Sequence, residues 1–164
     1  MKNVLFTGPP GCGKSTLIEK IIKRSRSPKT GFFTREIREK GQRVGFSIRT
    51  LDGKHGVLAH KEINSPFTVG QCGVNVDDID RIAVPSIITV KEDQMIVIDE
   101  IGKMECFSVL FKETLVRVLE SKNPILGSIA LKGDPFIAEI KKRKDVHLIR
   151  ITEKNREIFV QMFD

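Results

Sequence analysis

The sequence predicts an α/β fold in which a mostly parallel sheet is flanked by helices. Short apolar runs of strand length alternate along the chain with segments whose apolar residues recur at helical spacing. This alternation favours strands joined by right-handed helical crossovers. The 164 residues are 40% hydrophobic and 30% charged. Such a chain suits a single domain over residues 1–164 and is inconsistent with disorder.

The chain opens with a strand, a glycine-rich turn and a helix. Asn3–Thr7 is a short apolar run without alternation, which indicates a strand buried on both faces. From Lys14 the apolar residues follow a helical stripe. We expect this helix to end near Ser25–Pro28.

Residues 31–60 have a different pattern, with three strand-like runs separated by two short turns that contain glycine. Turns this short allow only antiparallel pairing, so we expect a meander inserted near one edge or end of the parallel sheet. Residues 61–80 are rich in turns and poorly patterned. Residues 81–91 fit either a helix or an extended segment, because Pro85 interrupts them.

The second half of the chain returns to the alternating pattern. Strands are predicted at residues 94–99, 124–131 and 146–151, and helices at residues 105–121 and 135–144. A last helix is expected after a capping Thr152, with an apolar stripe formed by Ile158, Phe159, Met162 and Phe163.

Residues 8–15 match the phosphate-loop pattern G-x-x-x-x-G-K-[ST], between the predicted strand and helix that this motif requires. Glycines let main-chain N–H groups wrap a phosphate, and the helix N-terminus adds partial positive charge. Lys14 can reach β- and γ-phosphate oxygens, and the Ser15 hydroxyl can bind Mg²⁺. We expect the Cys12 side chain to turn outward. The predicted nucleotide contacts are Gly8, Pro9, Pro10, Gly11, Cys12, Gly13, Lys14, Ser15 and Thr16.

Two adjacent carboxylates, Asp99 and Glu100, follow the apolar run of residues 95–98. Ligands bind at the carboxyl ends of strands in parallel sheets, so Asp99 is placed to hold Mg²⁺. Glu100 can then orient and deprotonate an attacking water. The alternative is that Asp99 only caps the following helix.

Several cations and polar residues are weaker candidates for the same site. An arginine beside the γ-phosphate can stabilise the charge that its oxygens carry during phosphoryl transfer. Strand alternation places Arg35 and Arg38 on opposite faces of their strand, so both need not reach one site. The alternative for each is an arginine at the solvated surface. The basic run at residues 141–144 is interpreted as a solvated helix end. Other candidates are Arg43, Arg49, Lys103, Ser128 and Lys132 near the γ-phosphate, and Asn155 and Arg156 near the base or ribose.

The net charge of +7 is concentrated in residues 1–49, which hold 12 lysines and arginines against 3 acidic residues. This suggests a polyanionic partner. Nucleoside triphosphates are polyanions and fit this expectation. Nucleic acid is a weaker candidate, because the sequence contains no nucleic-acid recognition motif. No run is long enough to span a membrane. The three cysteines lack metal-binding spacing, which favours a reducing compartment. We therefore expect a cytoplasmic protein, and a monomer.

Four stretches together resemble the THEP-type nucleoside-triphosphatase family: GPPGCGKSTL, TGFFTREIREKGQRVGFSI, VIDEIGKME and EKNRE. The resemblance covers residues 3 to about 160. It implies a small RecA-like P-loop fold and Mg²⁺-dependent hydrolysis of several nucleoside triphosphates, with little base selectivity. It also implies that the strand at residues 124–131 lies between those at residues 3–7 and 94–99.

Specific roles follow from this resemblance. Asp99 and Ser15 would bind the metal, Glu100 would be the base beside Lys14, and Arg35 and Arg38 would be the candidate catalytic arginines. The second nucleotide segment would comprise Met95, Ile96, Val97, Ile98, Asp99, Glu100, Ile101 and Gly102. Two alternatives stay open: a nucleotide or small-molecule kinase, and a nucleic-acid-dependent ATPase.

Overall fold

A computed structural model describes residues 2–162, which form one nine-stranded mixed sheet with helices on both faces. The strand order is β5-β6-β4-β3-β2-β7-β8-β1-β9. The strands are β1 (Asn3–Thr7), β2 (Lys29–Glu39), β3 (Gln42–Thr50), β4 (His55–His60), β5 (Thr68–Val69), β6 (Cys72–Val74), β7 (Met95–Ile101), β8 (Ile125–Ile129) and β9 (Val146–Arg150).

The parallel part of the sheet comprises β2, β7, β8, β1 and β9. Strand β8 lies between β1 and β7, with Leu126 paired to Val4 on one side and to Val97 on the other. This confirms the predicted position of the strand at residues 124–131. The carboxyl ends of β1 and β7 therefore flank that of β8 at one edge of the sheet.

The predicted meander consists of β2, β3 and β4, with antiparallel pairs on both sides of β3. Strand β2 also pairs in parallel with β7, from Lys29 against Met95 to Phe33 against Asp99. The meander therefore continues the main sheet directly. As a result, the side chains of β2 stand beside the acidic end of β7.

Within the described residues, six helices accompany the sheet: α1 (Lys14–Arg24), α2 (Val76–Asp78), α3 (Val84–Ser86), α4 (Val109–Glu120), α5 (Pro135–Lys141) and α6 (Arg156–Gln161). A π-helical turn at Ile79–Ala83 joins α2 to α3. The poorly patterned residues 61–80 thus include β5, β6 and part of this helical stretch. Pro85 lies in the first turn of α3, where its missing N–H group costs little.

Two helices begin later than the apolar spacing predicts. Helix α4 begins at Val109 because the Ser108 hydroxyl caps it by accepting the N–H of Phe111 at 2.9 Å, while Glu105–Phe107 form a separate 3₁₀ turn. Helix α6 begins at Arg156, so Thr152 is not its N-cap. Met162 follows the helix, and the predicted stripe residue Phe163 lies outside the described residues.

Each face of the sheet has an apolar layer. One layer includes Leu5, Phe32 and Ile98, and packs around α4. The other includes Val4 and Phe6, and packs around α1 and α6. Neighbouring residues of the same strand enter opposite layers, as expected for strands covered on both faces. In the part of the chain that the structure describes, no helix is long and apolar enough to cross a membrane.

Candidate active site

The phosphate loop joins β1 to α1 and ends at Gly13, which precedes the first helical residue. Gly13 has φ +96°, a left-handed conformation that glycine adopts without a steric penalty. This conformation turns the chain into α1 and leaves the first N–H groups of the helix unpaired inside it, as anion binding requires. The loop and helix predicted from the motif are both present.

Lys14 links the phosphate loop to the acidic end of β7. Its ammonium donates to the carbonyl of Gly8 at 2.9 Å and forms an ion pair with Oε2 of Glu100 at 3.3 Å. The Lys14 side chain is only 12% exposed. The cation is therefore held where a phosphate tail bound by the loop would pass close to Glu100.

The orientation of Cys12 differs from the sequence prediction. Its side chain is buried in the apolar layer under α1, and does not turn outward. A Cβ added at Gly8 would lie 2.7 Å from the Cys12 sulfur. The thiol therefore fills the space beneath the loop, and Cys12 can offer a nucleotide only its main chain.

Asp99 and Glu100 lie near the end of β7, joined by a cis peptide bond. Asp99 is buried, and its Oδ1 accepts the hydroxyl of Ser128 from β8 at 2.7 Å. Since Ser108 caps α4, Asp99 is not a helix cap. Burial raises the pKa of Glu100, and the nearby Lys14 ammonium opposes this rise.

The two candidate arginines have different surroundings. Arg35 pairs with Glu19 of α1, lies 3.9 Å from Oδ2 of Asp99 and stacks on the Phe33 ring at 4.6 Å. Arg38 is 58% exposed and pairs with Glu36. The structure therefore brings Arg35 to the acidic pair, while Arg38 lines a neighbouring cavity.

A cavity of about 420 Å³ lies between the phosphate loop, β2 and the end of β7. Ser15 and Asp99 both line it, and their hydroxyl and carboxylate oxygens fit Mg²⁺. Within residues 2–162, no three His, Cys, Asp or Glu side chains are grouped so that they could hold a metal ion. The lining residues are Pro10, Gly11, Lys14, Ser15, Thr16, Glu19, Thr34, Arg35, Glu36, Phe46, Asp99 and Glu100.

Two charged residues near this cavity were not predicted. Lys141, at the end of α5, donates to the carbonyl of Leu131 at 2.6 Å, and its charge interacts with Lys14 and Glu100. Lys142 and Lys144 are exposed, as the predicted solvated helix end requires, but Lys141 is half-buried. Its pKa is lowered, first by burial and then by Lys14. Glu105 is buried beyond the end of β7. In a run of lysines and arginines, nothing in the sequence indicates which one faces inward.

The remaining predicted residues lie at the edges of the site. Arg156 packs against Gly13 and donates to the carbonyl of Cys12 at 3.4 Å, beside a cavity of about 200 Å³ that also contacts Thr16. Asn155 binds the Arg150 carbonyl and the Thr152 N–H. The main cavity does not include the remaining candidates, Arg43, Arg49, Lys103 and Lys132, all of which are exposed.

Comparison with known protein families gives one consistent result. A family model described as NTPase matches residues 3–162. The nucleoside-triphosphatase THEP1 of Thermotoga maritima is 42% identical over 154 residues, covering 93% of this chain and 88% of the relative. The human cancer-related nucleoside-triphosphatase is 38% identical over 172 residues, covering 94% and 90%.

Two solved structures share the fold over almost the whole chain. The crystal structure of THEP1 from Aquifex aeolicus has a TM-score of 0.88 at 32% identity, covering 100% of this chain and 97% of that one. The solution structure of the human nucleoside triphosphatase has a TM-score of 0.82 at 37% identity, covering 99% and 95%. These relatives are named for triphosphate hydrolysis, which does not favour the kinase or nucleic-acid-dependent alternatives.

Proposed function

Since the chain belongs to the NTPase family and hydrolyses nucleoside triphosphates, we propose that hydrolysis takes place between the phosphate loop and the end of β7. The observation that carries this proposal is the ion pair between Lys14 and Glu100, with 3.3 Å between Nζ and Oε2. A phosphate-binding cation and a carboxylate able to activate water thus meet in one cavity. A γ-phosphate beside Lys14 would be adjacent to that carboxylate.

Binding relies on the loop and on Lys14. The main-chain N–H groups of residues 8–15 and the N-terminus of α1 supply partial positive charge, and the Lys14 ammonium adds a full charge. An arriving triphosphate competes with Glu100 for this ammonium. Binding would therefore release Glu100 from its ion pair and leave its carboxylate available to a water molecule.

We assign the metal position to Ser15 and Asp99. The Ser128 hydroxyl binds one oxygen of Asp99 at 2.7 Å and leaves the other oxygen facing the cavity, near Arg35. Mg²⁺ bound there would neutralise charge on the phosphate oxygens. The chain itself fixes the ligand oxygens of Asp99. Ser128 binds one of them, and the Arg35 guanidinium lies 3.9 Å from the other.

We assign proton acceptance from the attacking water to Glu100. Negative charge on the γ-phosphate oxygens then increases, and nearby cations stabilise it. Lys14 and Arg35 line the cavity, and the charge of Lys141 reaches Glu100. Arg38 keeps the role of candidate arginine only if it turns away from Glu36, with which it now pairs.

We place the ribose and base near the small cavity beside Gly13 and Arg156, on the side of Thr16 away from Glu100. A guanidinium offers a base its flat face, which every base can stack upon. This arrangement supports hydrolysis with little base selectivity. We also propose that the protein is a cytoplasmic monomer, and its three buried free cysteines suit a reducing cytoplasm.

Phosphate release from MgATP by Glu100→Gln and Lys14→Ala tests the proposal. Glu100→Gln should bind a non-hydrolysable MgATP analogue normally while kcat falls at least about 100-fold, because only proton acceptance is removed. Lys14→Ala should lose both binding and turnover. The exposed Glu113→Gln on α4 is the matched control. Normal kcat in Glu100→Gln would contradict the assignment of the base.

Base tolerance is tested by repeating the assay with ATP, GTP, CTP and UTP, with and without single-stranded RNA. We expect kcat/KM values within about tenfold of one another, because stacking does not read base edges. RNA should leave the rates unchanged. A rate that depends steeply on RNA and salt would instead support the nucleic-acid-dependent alternative.

A further inference from the structure

Glu105 is a buried acid in the turn that follows β7. It begins the 3₁₀ turn after β7 and is 4% exposed. Among the residues that the structure describes, no lysine, arginine or histidine forms an ion pair with it. A buried carboxylate in such surroundings is strongly disfavoured, so this residue needs either a proton or a role that offsets the cost.

Gly102 brings Glu105 close to the candidate base. A Cβ added at Gly102 would lie 3.0 Å from Oε1 of Glu105 and 3.1 Å from Oε1 of Glu100. The two carboxyl groups therefore flank the same side of one glycine. The turn is held by the N–H of Cys106 bound to the Gly102 carbonyl and that of Ser108 bound to the Glu105 carbonyl, both at 3.1 Å.

The two acids differ in what stabilises their charge. Glu100 faces the Lys14 ammonium, whereas no cation within residues 2–162 forms an ion pair with Glu105, and the acids Glu100 and Asp99 lie near it. Burial, followed by the charge of Glu100, raises the pKa of Glu105 to about 8. Other titratable groups around this turn include Asp99 on β7, Cys106 beside it, Lys112 on α4, Asp134 before α5, and Asp80, which accepts the Ser108 hydroxyl.

We propose that Glu105 is a positioning residue for Glu100: it packs as a buried neutral acid beside Gly102, fixes residues 99–105, and so orients the Glu100 carboxyl group toward the cavity. The inference rests on the proposed function of Glu100. It adds a second carboxyl group that never touches the substrate.

Steady-state kinetics of Glu105→Gln and Glu105→Ala test it. Gln reproduces a neutral carboxyl in size and polarity, so kcat at pH 7 should stay within about threefold of wild type. Ala removes the support, and kcat should fall about 30-fold or more while KM stays within about threefold. Glu113→Gln is again the control. A Gln variant as inactive as the Ala variant, or an Ala variant with normal kcat, overturns the proposal.

The pH profile supplies a readout that a purely structural role would not change. Above about pH 8 Glu105 loses its proton and adds negative charge beside Glu100 and an anionic substrate, so wild-type kcat/KM should decline. Glu105→Gln should not show this decline. If the decline is the same in both proteins, the proposal is wrong, whether or not Glu105→Ala folds.

Glu100→Gln separates this proposal from the one on which it depends. If Glu100→Gln keeps normal turnover, the proposed base is wrong and both proposals fail. If Glu100→Gln is inactive while Glu105→Ala turns over normally, only the positioning role of Glu105 fails.

Discussion

Arg35 and Arg38 lie three residues apart on β2, and their surroundings predict different effects of mutation. Arg35 lines the cavity 3.9 Å from Asp99, whereas Arg38 does not line it and pairs with Glu36, one of the lining residues. Arg35→Ala should lower kcat for MgATP about 10- to 1,000-fold, because an arginine beside the γ-phosphate stabilises developing charge. Arg38→Ala should change kcat less than about threefold. A larger loss in Arg38→Ala than in Arg35→Ala would reverse the assignment.

Lys141 and Lys142 are adjacent in sequence, but Lys141 is half-buried whereas Lys142 is exposed. Its ammonium is bound to the Leu131 carbonyl, and its charge reaches Glu100 and Lys14. Lys141→Met should lower kcat about 10-fold while keeping the aliphatic bulk, because one cation near the γ-phosphate is lost. The exposed Lys142→Met is the control and should match wild type. Equal rates in the two variants would show that Lys141 is only a helix-end contact.

The parts of the site that the sequence predicts are those in which chemistry and spacing are local. The phosphate loop is recognisable because glycines, Lys14 and Ser15 occur within eight consecutive residues. Glu105 and Lys141 were missed because burial and orientation depend on how distant segments pack. Ser128, which the sequence predicts near the γ-phosphate, binds Asp99, a residue of the main cavity that lies 29 positions away in sequence. No local pattern encodes that contact.

At the scale of elements, strands were easier to predict than the ends of helices. The apolar runs of β1, β7 and β8 are buried on both faces, so their composition alone indicates strands. The start of α4 was placed too early because Phe107 continues the apolar spacing, whereas the Ser108 cap sets the boundary. Capping geometry therefore outweighs periodicity at that end.

The pairing of β2 with β7 requires glycine at position 31. Gly31 has φ +125°, and a Cβ there would lie 1.9 Å from the carbonyl oxygen of Val97. Gly31→Ala should lower the free energy of unfolding in urea by about 3 kcal/mol or more, through backbone strain and overpacking together. The control is Gly53→Ala, with φ +95° but no atom within 4 Å. It should lose only about 1–2 kcal/mol. Equal losses would show that strain alone matters.

Across the whole molecule, the sheet topology brings a basic segment and an acidic segment to the same edge of the sheet. The basic first third includes α1 and β2, which flank the cavity, while the acidic pair comes from β7 in the second half of the chain. Parallel pairing of β2 with β7 brings these halves together. The excess of positive charge near the site matches a substrate with a polyphosphate tail.

Buried Glu105 should make the stability of the whole protein depend on pH. Its pKa is about 8 in the folded protein and near 4.5 when unfolded, so the folded state binds more protons between these values. Stability from burying the neutral acid is fully present below pH 4.5 and is lost as pH rises toward 8. The total is on the order of several kcal/mol, since one pKa unit is about 1.4 kcal/mol.

Glu105→Gln cannot ionise and should lack this loss. Its Tm should rise relative to wild type by roughly 10 °C between pH 5 and pH 8, a shift measurable by differential scanning calorimetry. Glu113→Gln should follow wild type, because the ionisation of that exposed acid changes little on folding. Parallel melting profiles for wild type and Glu105→Gln would mean that Glu105 is already ionised at neutral pH, with its charge balanced by the rest of the fold.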